Sequence, residues 1–427
     1  MPKRFLALLL LMTLFVLAAV CPAAGEEPQS SACVDYQYIV LEDGTVELTK
    51  YTGQAEALAI PDTLDGMAVS RIGNAAFYQC VPLTDLTLPD SVTVIGSAAF
   101  YYCNRLTSVT LPDSVTTIGN SAFAGCWNLT GLVLPDSVTF IGDHAFDNCS
   151  SLTDLNLPGS VTFIGDYAFD NCSSLTDLTI PDSVTAIGNG AFSRCTRLTA
   201  VTIPDSVTAI GNDAFAGCWL LTGLTLPAGV TAIGDYAFFD CASLTSINIP
   251  DSVTAIGGNP FGNCDQLAEI RVSPDHPTLA VVDGVLFSRA DMRLVCRPCD
   301  LAGQCCVVPQ GTKVIGDGAF SGCDGLTTVI LPDSVTAIGD RAFGNCASLI
   351  SVILPDSVTS IGNGAFSWCN RLTGLVLPDS VTSIGYGAFE GCDALTLTVT
   401  PGSCAEQYCK DRGLKYTSTG ANDRPND

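Results

Sequence analysis

Residues 83–105 read Leu-Thr-Asp-Leu-Thr-Leu-Pro-Asp-Ser-Val-Thr-Val-Ile-Gly-Ser-Ala-Ala-Phe-Tyr-Tyr-Cys-Asn-Arg, and this stretch decides the fold. Its Ile-Gly pair, at Ile95, follows one at Ile72 and returns at Ile118, Ile141, Ile164, Ile187, Ile210, Ile233 and Ile256, always 23 residues on. After one step of 59 residues it resumes at Ile315, Ile338, Ile361 and Ile384, which makes thirteen copies. A period of this length marks a solenoid, in which no single coil can bury its own apolar face and stability comes from stacking. A length of 427 residues therefore does not translate into two or three globular domains.

Each position of the unit has a physical reason. Leu83, Leu86 and Leu88 alternate as a strand does, pointing inward while Asp85 and Thr87 point outward. Pro89 lacks the N–H that would continue the ladder, so the strand ends there. Asp90 and Ser91 are turn formers, and Val92 and Ile95 make a second short apolar segment. Gly96 is expected to take a left-handed corner, and Phe100 re-enters the core. Stacked coils would then align thirteen phenylalanines, Phe77 to Phe389, in one continuous spine.

The ends and one interruption depart from the unit. Tyr36–Leu41 and Val46–Tyr51 alternate around Asp43-Gly44 and read as a hairpin covering the first coil. Ser403 is placed to cap a helix from about Cys404 to Arg412, stopped by Gly413. Between Ile256 and Ile315 the repeat yields to Val281-Val282-Asp283-Gly284-Val285-Leu286-Phe287, an inserted hairpin. The expected organisation is a signal peptide at 1–25, a hairpin cap at 26–59, a first array at 60–273 and an insertion with clustered cysteines at 274–307. A second array follows at 308–400, then a helical cap and disordered tail at 401–427. The fold class expected is a mostly-β repeat solenoid, coiled right-handed, with short turns.

Lys3 and Arg4, the apolar run Phe5–Val20 and the small residues Ala23, Ala24 and Gly25 have the order of a secretory signal. An uncleaved anchor helix and a lipid-modified Cys21 are the alternatives left open. No other segment approaches the roughly 20 apolar residues a membrane-spanning helix needs. The formal net charge of −25 opposes binding to a phosphate backbone, so nucleic acid is not an expected partner. The two histidines, His144 and His276, lie in no nucleophile or metal motif, and no phosphate loop or dinucleotide fingerprint is present. Neither an enzyme nor a cofactor is expected.

Thirteen of the 21 cysteines keep the repeat period, from Cys80 to Cys264 and from Cys323 to Cys392. Side chains in one stacked column point the same way, whereas a disulfide needs them to converge, so buried free thiols are expected. For Cys296, Cys299, Cys305 and Cys306, a local disulfide, free thiols and a zinc site all remain open. The recurring aspartates Asp90, Asp113 and Asp136 serve the turn and need no calcium.

The string Leu-Pro-Asp-Ser-Val-Thr-x-Ile-Gly-x-x-Ala-Phe-x-x-Cys resembles the BspA-like leucine-rich repeat. The Asp43-Gly44-Thr45 hairpin, the insertion and the Ala405-Glu406-Gln407-Tyr408 helix are similar to that family's accessories, and the resemblance covers about residues 36–416. It implies a secreted or cell-surface protein of a host-associated microbe, with adhesion to matrix proteins or cells as one family role. It brings no catalytic residues.

The outward strand positions, on what is expected to be a concave face, are the first candidates for binding. They include Asp154, Asn156, Asp177, Thr179, Ser246, Asn248, Glu269 and Arg271 in the first array. Ile330, Ile353 and Val376 form a possible apolar patch in the second. Tyr101, Tyr102, Trp127, Trp219 and Trp368, scattered near the Ala-Phe corner, are the second set, since exposed aromatics anchor interfaces and stack on sugars. The sequence thus points to a non-catalytic, adhesin-like monomer that binds an extracellular protein or glycan. A structural coat protein without a ligand is the competing expectation.

Overall fold

In the computed structural model, which describes residues 35–419, the chain is a mostly-β solenoid of about 16 turns with one short helix near its C-terminal end. The proposed signal segment with Cys21, together with Cys33 and residues 420–427, lies outside the described residues.

Every regular coil carries two short strands that pair, parallel and in register, with their equivalents in neighbouring coils. Asp85–Thr87 is one such strand, pairing Asp85 with Ser108 and Thr87 with Thr110. Val94–Ile95 is the other, pairing Ile95 with Ile118. The second row continues without a break from the antiparallel hairpin Tyr36–Val40/Val46–Tyr51 through Met67–Ile72 to Ala255–Ile256. The hairpin thus covers the edge that an uncapped first coil would expose. At the far end Ser403 Oγ accepts the Glu406 N–H at 3.1 Å, the Glu406 carboxylate accepts the Gly402 N–H, and Gly413 closes helix Cys404–Arg412 in the left-handed conformation. A further strand, Tyr416–Ser418, then pairs with Thr396–Val399, within a stretch expected to hold only the helix and tail.

The Ala-Phe corner forms a third inter-coil ladder. Ala98, Phe100 and Tyr102 donate their N–H groups to the carbonyls of Asn120, Ala122 and Ala124 at 2.7–2.8 Å. To aim alternate N–H groups the same way, the residue before each alanine and the residue before each cysteine turn left-handed. Ala98, Tyr102, His144, Asn148, Arg341 and Asn345 have φ between 51° and 60°. The glycine of Ile-Gly, expected to be that left-handed corner, is not. It is needed because coils touch there: a Cβ on Gly188 would lie 2.8 Å from the carbonyl carbon and oxygen of Gly165. Ser91 also acts across coils rather than within its turn, donating to Val69 O at 2.7 Å.

The phenylalanine spine is stacked, but it is not continuous. Ring centroids from Phe77 to Phe261 stand 4.9–5.7 Å apart, and those from Phe320 to Phe389 stand 4.9–5.6 Å apart. Between them Arg297 takes the register of a phenylalanine. Its N–H donates to Ala319 O at 2.9 Å, as that of Phe238 does to Pro260 O. Its buried guanidinium donates to the carbonyls of Pro298, Leu301 and Gly303.

The insertion is the expected hairpin, Leu279–Val282 against Val285–Ser288, followed by Arg293–Cys296, which pairs parallel with Val314–Ile315. The last strand of the first array would leave its carbonyls unpaired here. The Arg293 guanidinium donates to Ile256 O at 3.0 Å and Gly257 O at 3.2 Å, splicing the two arrays. Cys305–Val307, read from sequence as part of the insertion, is instead a repeat strand paired with Thr328–Ile330.

Two opposite stability effects follow from the corner. Gly188→Ala should destabilise by about 1–3 kcal/mol through overpacking, whereas Ala98→Gly should stabilise by about 1 kcal/mol by relieving its left-handed backbone; urea titration of both variants reads the signs. Arg293→Ala, which strips two carbonyls of their donor, should cost about 1–3 kcal/mol and separate the unfolding of the two arrays into two phases. An unchanged single transition would count against the splice.

Candidate functional site

Outward residues of the strand row flank one buried apolar side chain, the arrangement a period of two requires. Asp154, Asn156, Asp177, Thr179, Asn248, Glu269 and Arg271 are exposed, and Ser246 is half-buried. They do not make one constellation. Asp154 stands beside Gly131, Asp177 beside Ala200, and Ser246 and Asn248 beside Glu269 and Arg271. Glu269 and Arg271 satisfy each other, Nε to Oε1 at 2.8 Å, and that bond holds the Glu269 carboxyl below its usual range.

The second array differs. Ile330 is 37% exposed, Ile353 56% and Val376 61%, and Val307, at 63%, joins them in the same column. Val307 pairs with Ile330 and Ile330 with Ile353 in register, and the strand of Val376 packs beside that of Ile353, so four coils present an aliphatic stripe. Sequence reasoning missed Val307 because no Leu-Pro motif follows its strand; Val308-Pro309 was the available signal.

At the Ala-Phe corner the left-handed positions send variable side chains outward. Tyr101, Tyr102 and Trp127, expected to be scattered, meet with Tyr78 in one cluster: Tyr78 stacks on Tyr101 at 5.3 Å, Tyr101 tilts against Tyr102 at 4.6 Å, and Tyr102 meets Trp127 edge-on at 5.8 Å. Trp219 stands apart and donates its Nε1–H to Asp240 Oδ2 at 2.8 Å.

Trp368 lines a cleft of about 710 Å³ that runs along this corner across the junction of the arrays. Tyr236, Phe239 and Tyr386 supply further rings, and Asp340, Arg341, Asn345 and Asn363 supply polar groups. Asn363 is fixed by an inter-coil ladder, its N–H and Nδ2 donating to the two oxygens of Asp340 at 2.6 and 3.0 Å. Burial, reinforced by the charge of Asp317, pushes the Tyr236 hydroxyl up to about 12. Of these residues Trp368 alone stood out in sequence. The cleft needs two arrays brought together by an insertion, which no local pattern reports.

The family model described as the BspA type leucine rich repeat region matches residues 70–199, 185–289 and 303–408. This chain belongs to that family. Among solved structures it is similar to a leucine rich cell surface protein of Faecalibacterium prausnitzii A2-165, 30% identical, with 93% of this chain and 97% of that one covered and a TM-score of 0.61. A leucine-rich repeat protein of Bacteroides ovatus is also 30% identical, with 90% and 98% covered and a TM-score of 0.54. None of the curated proteins compared with the chain matches it.

In this BspA-type array the cysteine column is not merely small and apolar. Eleven of its thiols donate to the phenylalanine carbonyl of the preceding coil, Cys103 to Phe77 at 3.1 Å and Cys149 to Phe123 at 3.3 Å among them, and Cys323 donates instead to Arg297 O. Burial pushes the Cys103 thiol up to about 12 and those of Cys126, Cys172 and Cys218 well above the ordinary thiol value. In the cluster, Cys296 and Cys299 are buried, Cys306 is half-buried and Cys305 is exposed. The close thiol pair is Cys299 with Cys323 of the column, Sγ to Sγ 3.7 Å, rather than two members of the cluster. Among the described residues no group of three or more His, Cys, Asp or Glu is placed to hold a metal.

Both histidines have structural partners. His276 is buried, its Nδ1 accepting the Leu279 N–H at 3.0 Å and its Nε2 donating to Pro250 O at 3.1 Å. His144 stacks on Tyr167 at 5.1 Å. Among the described cysteines, Cys305 and Cys404 should be the ones alkylated fastest in the native protein at neutral pH, the buried column members Cys103–Cys264 and Cys323–Cys392 reacting only after unfolding. Peptide mapping by mass spectrometry checks this; rapid labelling of Cys149 or Cys195 would show that the column is open.

Proposed function

We propose that this is a secreted or surface-anchored, non-catalytic, adhesin-like protein whose partner is an extracellular protein held on the strand face of the second array. The observation that carries the reading is the aliphatic stripe Val307–Ile330–Ile353–Val376. The equivalent column of the first array is mostly polar, with Thr87, Thr110, Asn156, Thr179 and Asn248 around a single exposed aliphatic, Val133. Branched aliphatic side chains add strand preference and about 0.2–1 kcal/mol per cross-strand pair, but the strand's inward residues already fill the core, so the fold does not require them there. Contiguous exposed apolar surface on a protein in water marks a contact site.

Location outside the cell is supported by the cell-surface relative and by the leader-like N-terminal sequence. No helix among the described residues is long and apolar enough to cross a membrane. The reading of a non-catalytic protein is supported by the structural roles of both histidines.

Surface plasmon resonance against a panel of extracellular-matrix proteins tests the proposal. Saturable binding should weaken roughly tenfold or more for Ile353→Asp, while its thermal midpoint stays near that of the parent, since Ile353 is outside the core. Binding that ignores Ile353→Asp, or a panel without saturable binding, would remove the strand face from consideration.

A further inference from the structure

We propose that the corner cleft at the junction of the two arrays is a second binding site, specific for an uncharged glycan. It lies on the Ala-Phe corner of the coil rather than on the strand face, and it does not depend on the protein-binding reading above.

Its lining combines what a sugar ring demands, flat apolar surfaces for the C–H faces and fixed planar polar groups for the hydroxyl rim. Trp368 is 53% exposed and Tyr386 70%. Each ring rests against a neighbour on one side. The Trp368 indole lies over Gly391, where a Cβ would come within 2.6 Å of its Cε3 atom. The Arg412 guanidinium covers one face of Tyr386, 4.8 Å from the ring centroid, and leaves the other open. Trp368 also sits at a left-handed position, φ 61°, where the neighbouring coils place Asn345 and Gly391. Its N–H donates to Glu390 O at 2.7 Å, so the inter-coil ladder fixes the backbone from which the indole projects.

Charge narrows the ligand class. Asp213, Asp340 and Glu390 line the cleft, with Arg341 as its one cation. Three carboxylates in a chain of net charge −25 oppose sialylated or sulfated sugars. Arg341, in no ion pair among the described residues, offsets one of those three charges, and a lysine ammonium, which can only donate, would leave the Arg341 and Asn345 donors unmatched. What remains favoured by mixed donors and acceptors is a group that both donates and accepts hydrogen bonds, the hydroxyl. The Asn363 amide is already oriented by Asp340, so this part of the site pays little ordering entropy on binding. At about 710 Å³ the cleft falls within the range of small-molecule sites.

The test uses the purified full chain on an array of short neutral, sialylated and sulfated oligosaccharides with an oligolysine peptide as the cationic probe, followed by calorimetry. The expected result is saturable binding to neutral members, weakened roughly tenfold or more by Trp368→Ala and partly restored by Trp368→Phe. Trp219→Ala, at an exposed tryptophan outside the cleft, should leave it unchanged. Ile353→Asp should too, which keeps this site's failure separable from that of the strand face. Thermal midpoints of all variants control for folding. Binding only to acidic sugars or to oligolysine would overturn the assignment, as would binding indifferent to Trp368→Ala or no neutral sugar bound at all.

Discussion

Successive coils are joined by N–H to C=O bonds at three places around the turn, and the spacing those bonds impose dictates which side chains each column accepts. Strands pair at about 4.8 Å, so identical residues sit directly above one another. A column therefore tolerates only side chains that are compatible with themselves at that distance. Phenylalanine rings stack offset, with centroids 4.9–5.7 Å apart in the first array. Thiols donate to the carbonyl of the coil before them, and Asn or Asp accepts the N–H of the coil after, as Asn189 Oδ1 does from Asn212 at 2.9 Å. Glycine serves where backbones touch outright. The repetition of the sequence is the record of this constraint.

Keeping the third ladder in line has a cost. Two residues per coil adopt left-handed backbone, most of them not glycine, at roughly 1 kcal/mol or more each. Their N–H groups are paired with the next coil, and that pairing across many turns offsets the local strain. Because these positions face outward, their side chains are unconstrained by the core. They vary along the chain as Tyr102, Asn148, Arg194, Asp240 and Trp368, and the corner becomes a surface on which chemistry can be placed.

The interruption shows how little the array will tolerate at its core. Where the strand ladder stops at Ile256, a guanidinium supplies the missing donors, and where the aromatic spine stops, Arg297 keeps the backbone register while losing the ring. A buried cation without a carboxylate is expensive, and three carbonyls solvate it instead. The same interruption brings Tyr236 of the first array to one cleft with Trp368 of the second. Core accommodation and surface opportunity have one origin.

The sequence by itself determined the coil, because a period of 23 residues admits one stacking in which every column is buried or exposed consistently. The two caps, the inserted hairpin and the buried thiol column were legible for the same reason, each being written in local residues such as Asp43-Gly44, Ser403 and Gly413. The role of Gly188 was not, since close approach to Gly165 is a contact between coils and looks in sequence like any turn glycine. Nor was the break in the spine, because Arg297 reveals its register only through the ladder to Ala319. The aliphatic stripe was three-quarters visible, lacking Val307, whose strand carries no motif. The corner cleft was almost invisible: its residues come from coils more than a hundred positions apart, Asp213 to Glu390. Tertiary structure decided it, because distance along a solenoid depends on how an insertion is spliced, and no local pattern encodes that.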